Sequence, residues 1–147
     1  MNLITGEYNN TLDEKGRVSF PAKLRNALGQ NVLMITKGLN RCLWLFTQSE
    51  WDIFQNKLMS RASMMNEKDM LVVRHFIVPA QEVEFDKSGR LSIPQSLREY
   101  AGLSKECIVL GIAKYMELWD SHSYSQFLES SESSFREAAA EFTDISL

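Results

Sequence analysis

Two stretches of the chain carry residue types that can do chemistry. LDEKGRVSFP occupies residues 12–21 and FDKSGRLSIP residues 85–94. In each, an aspartate heads a short loop and an arginine follows four positions later, pairing Asp13 with Arg17 and Asp86 with Arg90. The two aspartates could serve as a general acid–base dyad. Each could instead accept backbone N–H groups and shape a turn, leaving its arginine as a cation at a loop tip. The turn accounts for them better. Gly16 and Gly89 follow three positions after the aspartates and supply the positive φ that closes a tight hairpin. The rest of the chain offers little to an enzyme. His75 and His122 are isolated from any Cys, Ser or carboxylate pattern that names a triad or a metal site. No P-loop or dinucleotide glycine motif is present. Catalysis, a cofactor, a metal and a small-molecule substrate are therefore not expected.

The loops belong to a longer repeat. A shift of 73 residues superposes Leu12–Phe54 on the second half without a gap. Identical pairs include Asp13/Asp86, Gly16/Gly89, Arg17/Arg90, Ser19/Ser92, Pro21/Pro94, Leu24/Leu97, Arg25/Arg98 and Gly29/Gly102. Ile35/Ile108, Gly38/Gly111, Leu45/Leu118 and Phe54/Phe127 follow. One supersecondary unit is used twice. Each unit begins with a short alternating strand, then the D-x-x-G-R turn, then a second strand such as Arg17–Phe20. Pro21 and Pro94 suit the first position of a short helix, and Gly29 and Gly102 its C-terminal cap. Two further strands are expected at 32–36 and 42–46, and again at 107–110 and 116–119. An amphipathic helix closes each unit, capped by Ser49 in the first and by Ser121 or Ser123 in the second. Asn66 should cap a connecting helix over 67–77, with Asp69 in its first turn. The Ser/Glu-rich tail reads either as disordered or as a weak helix over 135–142.

The chain has 147 residues, 44% of them apolar and 24% charged, as in a globular protein. No apolar run approaches a membrane span, and the N-terminus lacks the pattern of a signal peptide. Cys42 and Cys107 are expected to be buried free thiols of a reducing cytoplasm. The net charge of −3 is unevenly spread. Residues 120–147 hold six acids and one base, so the remainder carries +2. That asymmetry is a weak pointer toward a polyanion. A unit of this size has a marginal core, so the two should pack as a pseudo-dimer, and leftover apolar surface favours a closed ring.

The pattern D-x-x-G-R-x-x-x-P-x-x-x-R-x-x-x-G resembles the AbrB-type swapped-hairpin fold. Two copies in one chain, joined by a helical segment containing Arg74-His75-Phe76 and followed by Glu117-Leu118-Trp119-Asp120, resemble the MraZ family of transcriptional regulators. The resemblance covers residues from about Gly6 to Phe127 and leaves the acidic tail outside it. It implies a mainly β fold with short helices (α+β): two tandem AbrB-like units forming a pseudo-dimeric β-barrel. The implied organisation is repeat 1 at 5–54, a helical connector at 55–79, repeat 2 at 80–127 and the tail at 128–147. The resemblance also implies a ring homo-oligomer, an octamer above all, that is cytoplasmic and associated with the nucleoid. Its partner would be double-stranded DNA, as short G-rich direct repeats in the promoter of a division and cell-wall gene cluster, usually repressed.

In that family the loop is the DNA-contacting element, which here means Asp13, Arg17, Asp86 and Arg90. An arginine on a two-stranded ribbon can bond guanine O6 and N7 in the major groove. It can also fold back onto its loop aspartate as an ion pair, and the two roles are compatible if the aspartate aims the arginine. Lys15 and Lys87 fit phosphate contacts or a solvated surface. Arg25 and Arg98 are expected to be structural, paired with carboxylates. Two other readings stay open: a protein-interaction module of antitoxin type, and a ring with no nucleic-acid role.

Overall fold

The computed structural model describes residues 3–147. In chain order the elements are β1 (Glu7–Thr11), β2 (Arg17–Ser19), α1 (Ala22–Leu28), β3 (Val32–Lys37), β4 (Leu43–Phe46), α2 (Gln48–Arg61) and α3 (Glu67–Phe76). The second half follows with β5 (Gln81–Glu84), β6 (Arg90–Ser92), α4 (Gln95–Ala101), β7 (Glu106–Ile112), β8 (Tyr115–Asp120), α5 (Ser121–Ser130) and α6 (Glu132–Ala140). The fold is α+β: among the described residues eight short strands are interspersed with six helices, which together hold more residues than the strands.

The strands exchange partners between the halves. Six of them form an antiparallel sheet in the order β1-β7-β8-β4-β3-β5, and β2 pairs with β6 in a separate two-stranded ribbon. β1 therefore pairs with β7 of the second half, and β5 with β3 of the first. The sheet is open, with β1 and β5 at its edges, so strand pairing does not close it into the expected barrel. Nor does the D-x-x-G-R turn join two strands of a regular hairpin. Only the single bridge Leu12↔Val18 links β1 to β2. Each half gives its second strand to the ribbon and its first to the other half's sheet, because neither half can bury its apolar residues alone.

A pseudo-two-fold axis relates the halves and crosses the sheet between β4 and β8. Leu43 opposes Leu118, Leu45 opposes Met116, and Trp44 opposes Glu117, its own counterpart. On one face of the sheet the ribbon, α1 and α4 cover a shared core. Val18, Leu24, Leu33, Leu45, Leu91, Leu97, Val109 and Leu118 lie there, all essentially without solvent contact. On the other face Trp119 packs with Tyr124 and Phe127 of α5. Trp44 stacks on Phe76 of α3, with ring centroids 5.0 Å apart, and meets Phe54 of α2 edge-on. Glu117 ties this layer together by accepting both indole N–H groups, from Trp44 at 3.1 Å and from Trp119 at 3.0 Å. Thr36, fully buried, donates to the Phe76 carbonyl and fastens the end of α3 to β3.

The gapless repeat holds except in one strand. Val32 pairs with Glu84 across β3 and β5, whereas the counterpart of Glu84, Thr11, pairs with Glu106. Leu33 therefore corresponds to Cys107, and Ile35 to Val109 rather than to Ile108. Three residues separate Gly29 from Leu33 and four separate Gly102 from Cys107. The β7–β8 turn is shorter by one and restores the shift, so an insertion and a deletion cancel. A one-residue slip turns a strand's side chains over, and burial sets the true register: Leu33, Ile35, Cys107 and Val109 all face the shared core.

Local signals were read correctly at some helix ends and not at others. Asn66 caps α3 by accepting from Lys68 and Asp69. Gly29 and Gly102 sit at the left-handed C-caps. Pro21 and Pro94 are N-caps, one position earlier than expected, with extended ψ near 144° and 142°. Thr47, not Ser49, caps α2 by accepting from Glu50. Asp120, not Ser121 or Ser123, caps α5 by accepting from Ser123 while also taking two hydrogen bonds from Ser104. Of the two readings of the tail the structure has the helix, at Glu132–Ala140 rather than 135–142. Cys42 and Cys107 are free and buried.

Candidate nucleic-acid interface

The two D-x-x-G-R loops have the same internal wiring. Asp13 Oδ1 accepts the backbone N–H groups of Lys15 and Arg17, each at 2.9 Å. The Gly16 N–H donates to the Asp13 carbonyl at 3.0 Å, and the Asp13 N–H to the Arg17 carbonyl at 2.9 Å. In the second loop Asp86 Oδ1 accepts from Ser88 and Arg90, each at 2.9 Å, and the two backbone bonds recur at the same lengths. Gly16 and Gly89 have φ of +79° and +77°. The Arg17 N–H bond, then the guanidinium and the Lys15 N–H, hold the Asp13 carboxyl below the usual range. Asp86 is lowered in the same way by Arg90 and Ser88.

The arginines do fold back, but through one nitrogen. Arg17 Nε donates to Asp13 Oδ2 at 2.7 Å, and Arg90 Nε to Asp86 Oδ2 at 2.9 Å. Among the described residues neither Nη group of either arginine has a hydrogen-bond partner. The aspartate fixes the guanidinium plane at its inner edge and leaves the outer fork of donors open.

The ribbon brings the two arginines onto one surface. Arg17 pairs with Ser92, Val18 with Leu91, and Ser19 with Arg90. Val18 and Leu91 point into the core, so alternation sends Arg17, Ser19, Arg90 and Ser92 outward. The arginines are diagonal neighbours, which ordinary ladder geometry sets about 7–8 Å apart, with the Cβ atoms somewhat closer. Lys15 and Lys87 are exposed in the flanking loops. Ser19 and Ser92 were not singled out as surface residues of the site. Their identity in both repeats, one place from a buried apolar neighbour, was the available signal.

Arg25 and Arg98 depart from expectation. Neither forms an ion pair among the described residues. Arg25 Nε donates to the Phe20 carbonyl at 3.2 Å, and its guanidinium lies against Gly89 of the other repeat. Arg98 lies against Gly16 in the mirrored arrangement.

Duplicated loops, exchanged strands and a shared ribbon show two like units that pair with each other's strands. Residues 3–75 and 76–145 each match the family model described as "MraZ protein, putative antitoxin-like". The chain belongs to the MraZ family. It is 52% identical over 142 residues to the transcriptional regulator MraZ of Treponema denticola, spanning 97% of this chain and 99% of that protein. It is 44% identical over 146 residues to the protein of that name from Treponema pallidum, spanning 99% and 98%. For the one from Halothermothrix orenii the identity is 41% over 145 residues, spanning 99% and 100%. The similarity to these MraZ proteins therefore extends through α6, beyond the part the sequence motifs covered. Among the described residues no group of three or more His, Cys, Asp or Glu side chains is placed to hold a metal ion. Among the described residues no helix is long and apolar enough to cross a membrane.

Proposed function

We infer that the chain is a sequence-specific, DNA-binding transcription regulator whose β2–β6 ribbon enters the major groove. The observation that carries this is the pair of arginines on one outward surface, each held at Nε and open at both Nη groups. An end-on guanidinium of that kind matches the paired acceptors of a guanine edge. Holding the plane beforehand lowers the ordering cost of binding. Lys15 and Lys87 take phosphates and set the register of the ribbon without reading bases. Asp13, Gly16, Asp86 and Gly89 shape the loops. The family's named role in transcription supports the same reading.

One ribbon makes few contacts, so the regulator acts as a ring, an octamer above all, on tandem G-rich promoter repeats. Linked sites gain roughly 10²–10⁴ in avidity without new contacts. Exposed apolar side chains support assembly: Leu71 and Val72 on α3, and Val78 just beyond it. The ring represses its own division and cell-wall gene cluster and works in the cytoplasm at the nucleoid. A protein-interaction role of antitoxin type would use the acidic α6 instead and would show as a stoichiometric partner on purification. The test is a gel shift on the region upstream of the chain's own gene, with wild type and the Arg17→Ala, Arg90→Ala double variant. Binding should disappear while the elution volume of the assembly stays constant. Unchanged affinity would overturn the reading. Wild-type affinity should also fall steeply between 50 and 200 mM salt, as expected of several phosphate contacts.

A further inference from the structure

We propose that Arg25 and Arg98 are crossed positioning residues: each holds the DNA-reading loop of the opposite repeat. This rests on the ribbon reading above and adds residues that stand behind it.

Each loop is shaped by its own aspartate but gripped by the other half of the chain. The Gly16 carbonyl accepts the N–H of Ile93, at the end of β6, at 2.9 Å. The guanidinium of Arg98, from the last turn of α4, lies where a Cβ on Gly16 would be. The other repeat mirrors the backbone bond and the guanidinium contact, and adds a side-chain bond that Arg98 lacks among the described residues. The Gly89 carbonyl accepts the N–H of Phe20 at 3.1 Å. A Cβ on Gly89 would fall 2.5 Å from both Nε and Cζ of Arg25. Arg25 is itself pinned by its bond to the Phe20 carbonyl. Phe20 thus grips Gly89 with its N–H and fixes Arg25, which presses on the same glycine, with its carbonyl.

Both arginines are half-buried and without carboxylate partners among the described residues. A guanidinium offers a broad, weakly hydrated group that can rest against the bare Cα of a buried glycine, whereas an ammonium is a compact, strongly hydrated charge. The loop glycine is therefore required twice, for its φ and for the cation resting on it. Arg17 follows Gly16 directly, and Arg90 follows Gly89, so the clamp acts one residue from the reading side chain. The two loops are then not independent readers: unit 2 sets unit 1's arginine, and unit 1 sets unit 2's.

The test combines backbone amide exchange on the DNA-free assembly with gel shifts on the upstream fragment. Arg98→Ala should speed exchange in 15–17 on the order of tenfold and leave 88–90 unchanged, and Arg25→Ala should do the reverse. Arg98→Lys should behave like Arg98→Ala, and it serves if the alanine variant does not fold. In binding, Arg98→Ala should be non-additive with Arg17→Ala and additive with Arg90→Ala, with Arg25→Ala crossed in the same sense. The salt slope should stay at the wild-type value. Loosening of the same repeat's loop, or of neither, would overturn the proposal. So would full additivity with a slope reduced by about one, the mark of a direct phosphate contact. If Arg17 and Arg90 prove irrelevant to DNA, the ribbon reading fails alone, and amide exchange still decides the clamp.

Discussion

The two loops and the two β-turns opposite them have had different histories within one chain. The Asp13 and Asp86 loops share four backbone and side-chain bonds whose lengths agree to the tenth of an ångström, and their glycines differ by 2° in φ. The equivalent turns at 38–42 and 112–115 differ in length by one residue, and the first holds Asn40 and Arg41 at positive φ where the second holds Ala113. The helices beyond them differ too. α2 runs for 14 residues and reaches α3 through the loop at 62–66, while α5 stops after 10 and passes through Ser131 to the acidic α6. The turns belong to the six-stranded sheet and the loops lead from it into the ribbon, and one pseudo-two-fold axis relates each pair. What separates them is that the loops face each other across a shared ribbon and each is a partner in the other's geometry. A change in one loop costs both, whereas a change in a turn costs only the turn.

That contrast can be attacked through the core first. Leu24 and Leu97 are fully buried equivalents on α1 and α4. Replacing either by Ala should cost about 2–5 kcal/mol in chemical denaturation, with the two losses close to each other. A large inequality would show that the ribbon side is not energetically symmetric. The next effect sets one glycine against another. Gly16 and Gly29 both have positive φ, but only Gly16 carries a side chain where a Cβ would go. Gly29→Ala should cost about 1 kcal/mol. Gly16→Ala should cost roughly 2–4 kcal/mol, because overpacking adds to the backbone strain. Equal losses in thermal unfolding would mean that Arg98 simply moves aside.

A smaller effect is titratable. Asp13 and Asp86 have lowered carboxyl pKa values, so each favours the native loop above the ordinary carboxylate range and loses that contribution as pH falls through the lowered value. Asp13→Asn should flatten the acid limb of stability against pH by one group, and Asp86→Asn by a second equal step. Unequal steps would separate the loops. The smallest effect lies outside the duplicated units. The Arg136–Glu132 pair spans 3.7 Å with both side chains more than 70% exposed, so Arg136→Ala should shift stability by less than about 0.5 kcal/mol.

Most of the loop was legible in the sequence because its determinants are local. Asp13, Gly16, Pro21 and Gly29 act on backbone within a few residues, and repetition at 86, 89, 94 and 102 removed chance. The exchange of strands was implied only by the family resemblance and not by the residues themselves. Val18 and Leu91 fit a β-strand next to any neighbour, and nothing in their composition says that the neighbour is each other. The slip of β7 was hidden for a different reason. One residue gained before the strand and one lost after it leave a gapless comparison intact, and Ile108 imitates Ile35 while facing the other way. The caps were misassigned because Thr47 and Asp120 close their strands as well as open their helices. Pairing Arg25 and Arg98 with carboxylates followed charge, whereas packing on a glycine peptide needs a shape that charge does not reveal.

One pair on the pseudo-two-fold axis has a further consequence. Trp44 and Glu117 are each other's counterparts, and they meet where a symmetric assembly of single repeats would place a residue against its own copy. Two copies of the first repeat would set indole against indole, with both N–H groups in search of an acceptor. Two copies of the second would set carboxylate against carboxylate. Joined in one chain, the repeats turn that self-facing position into a donor and an acceptor. The two halves can no longer substitute for one another, and the fused chain favours the mixed pairing over either matched one.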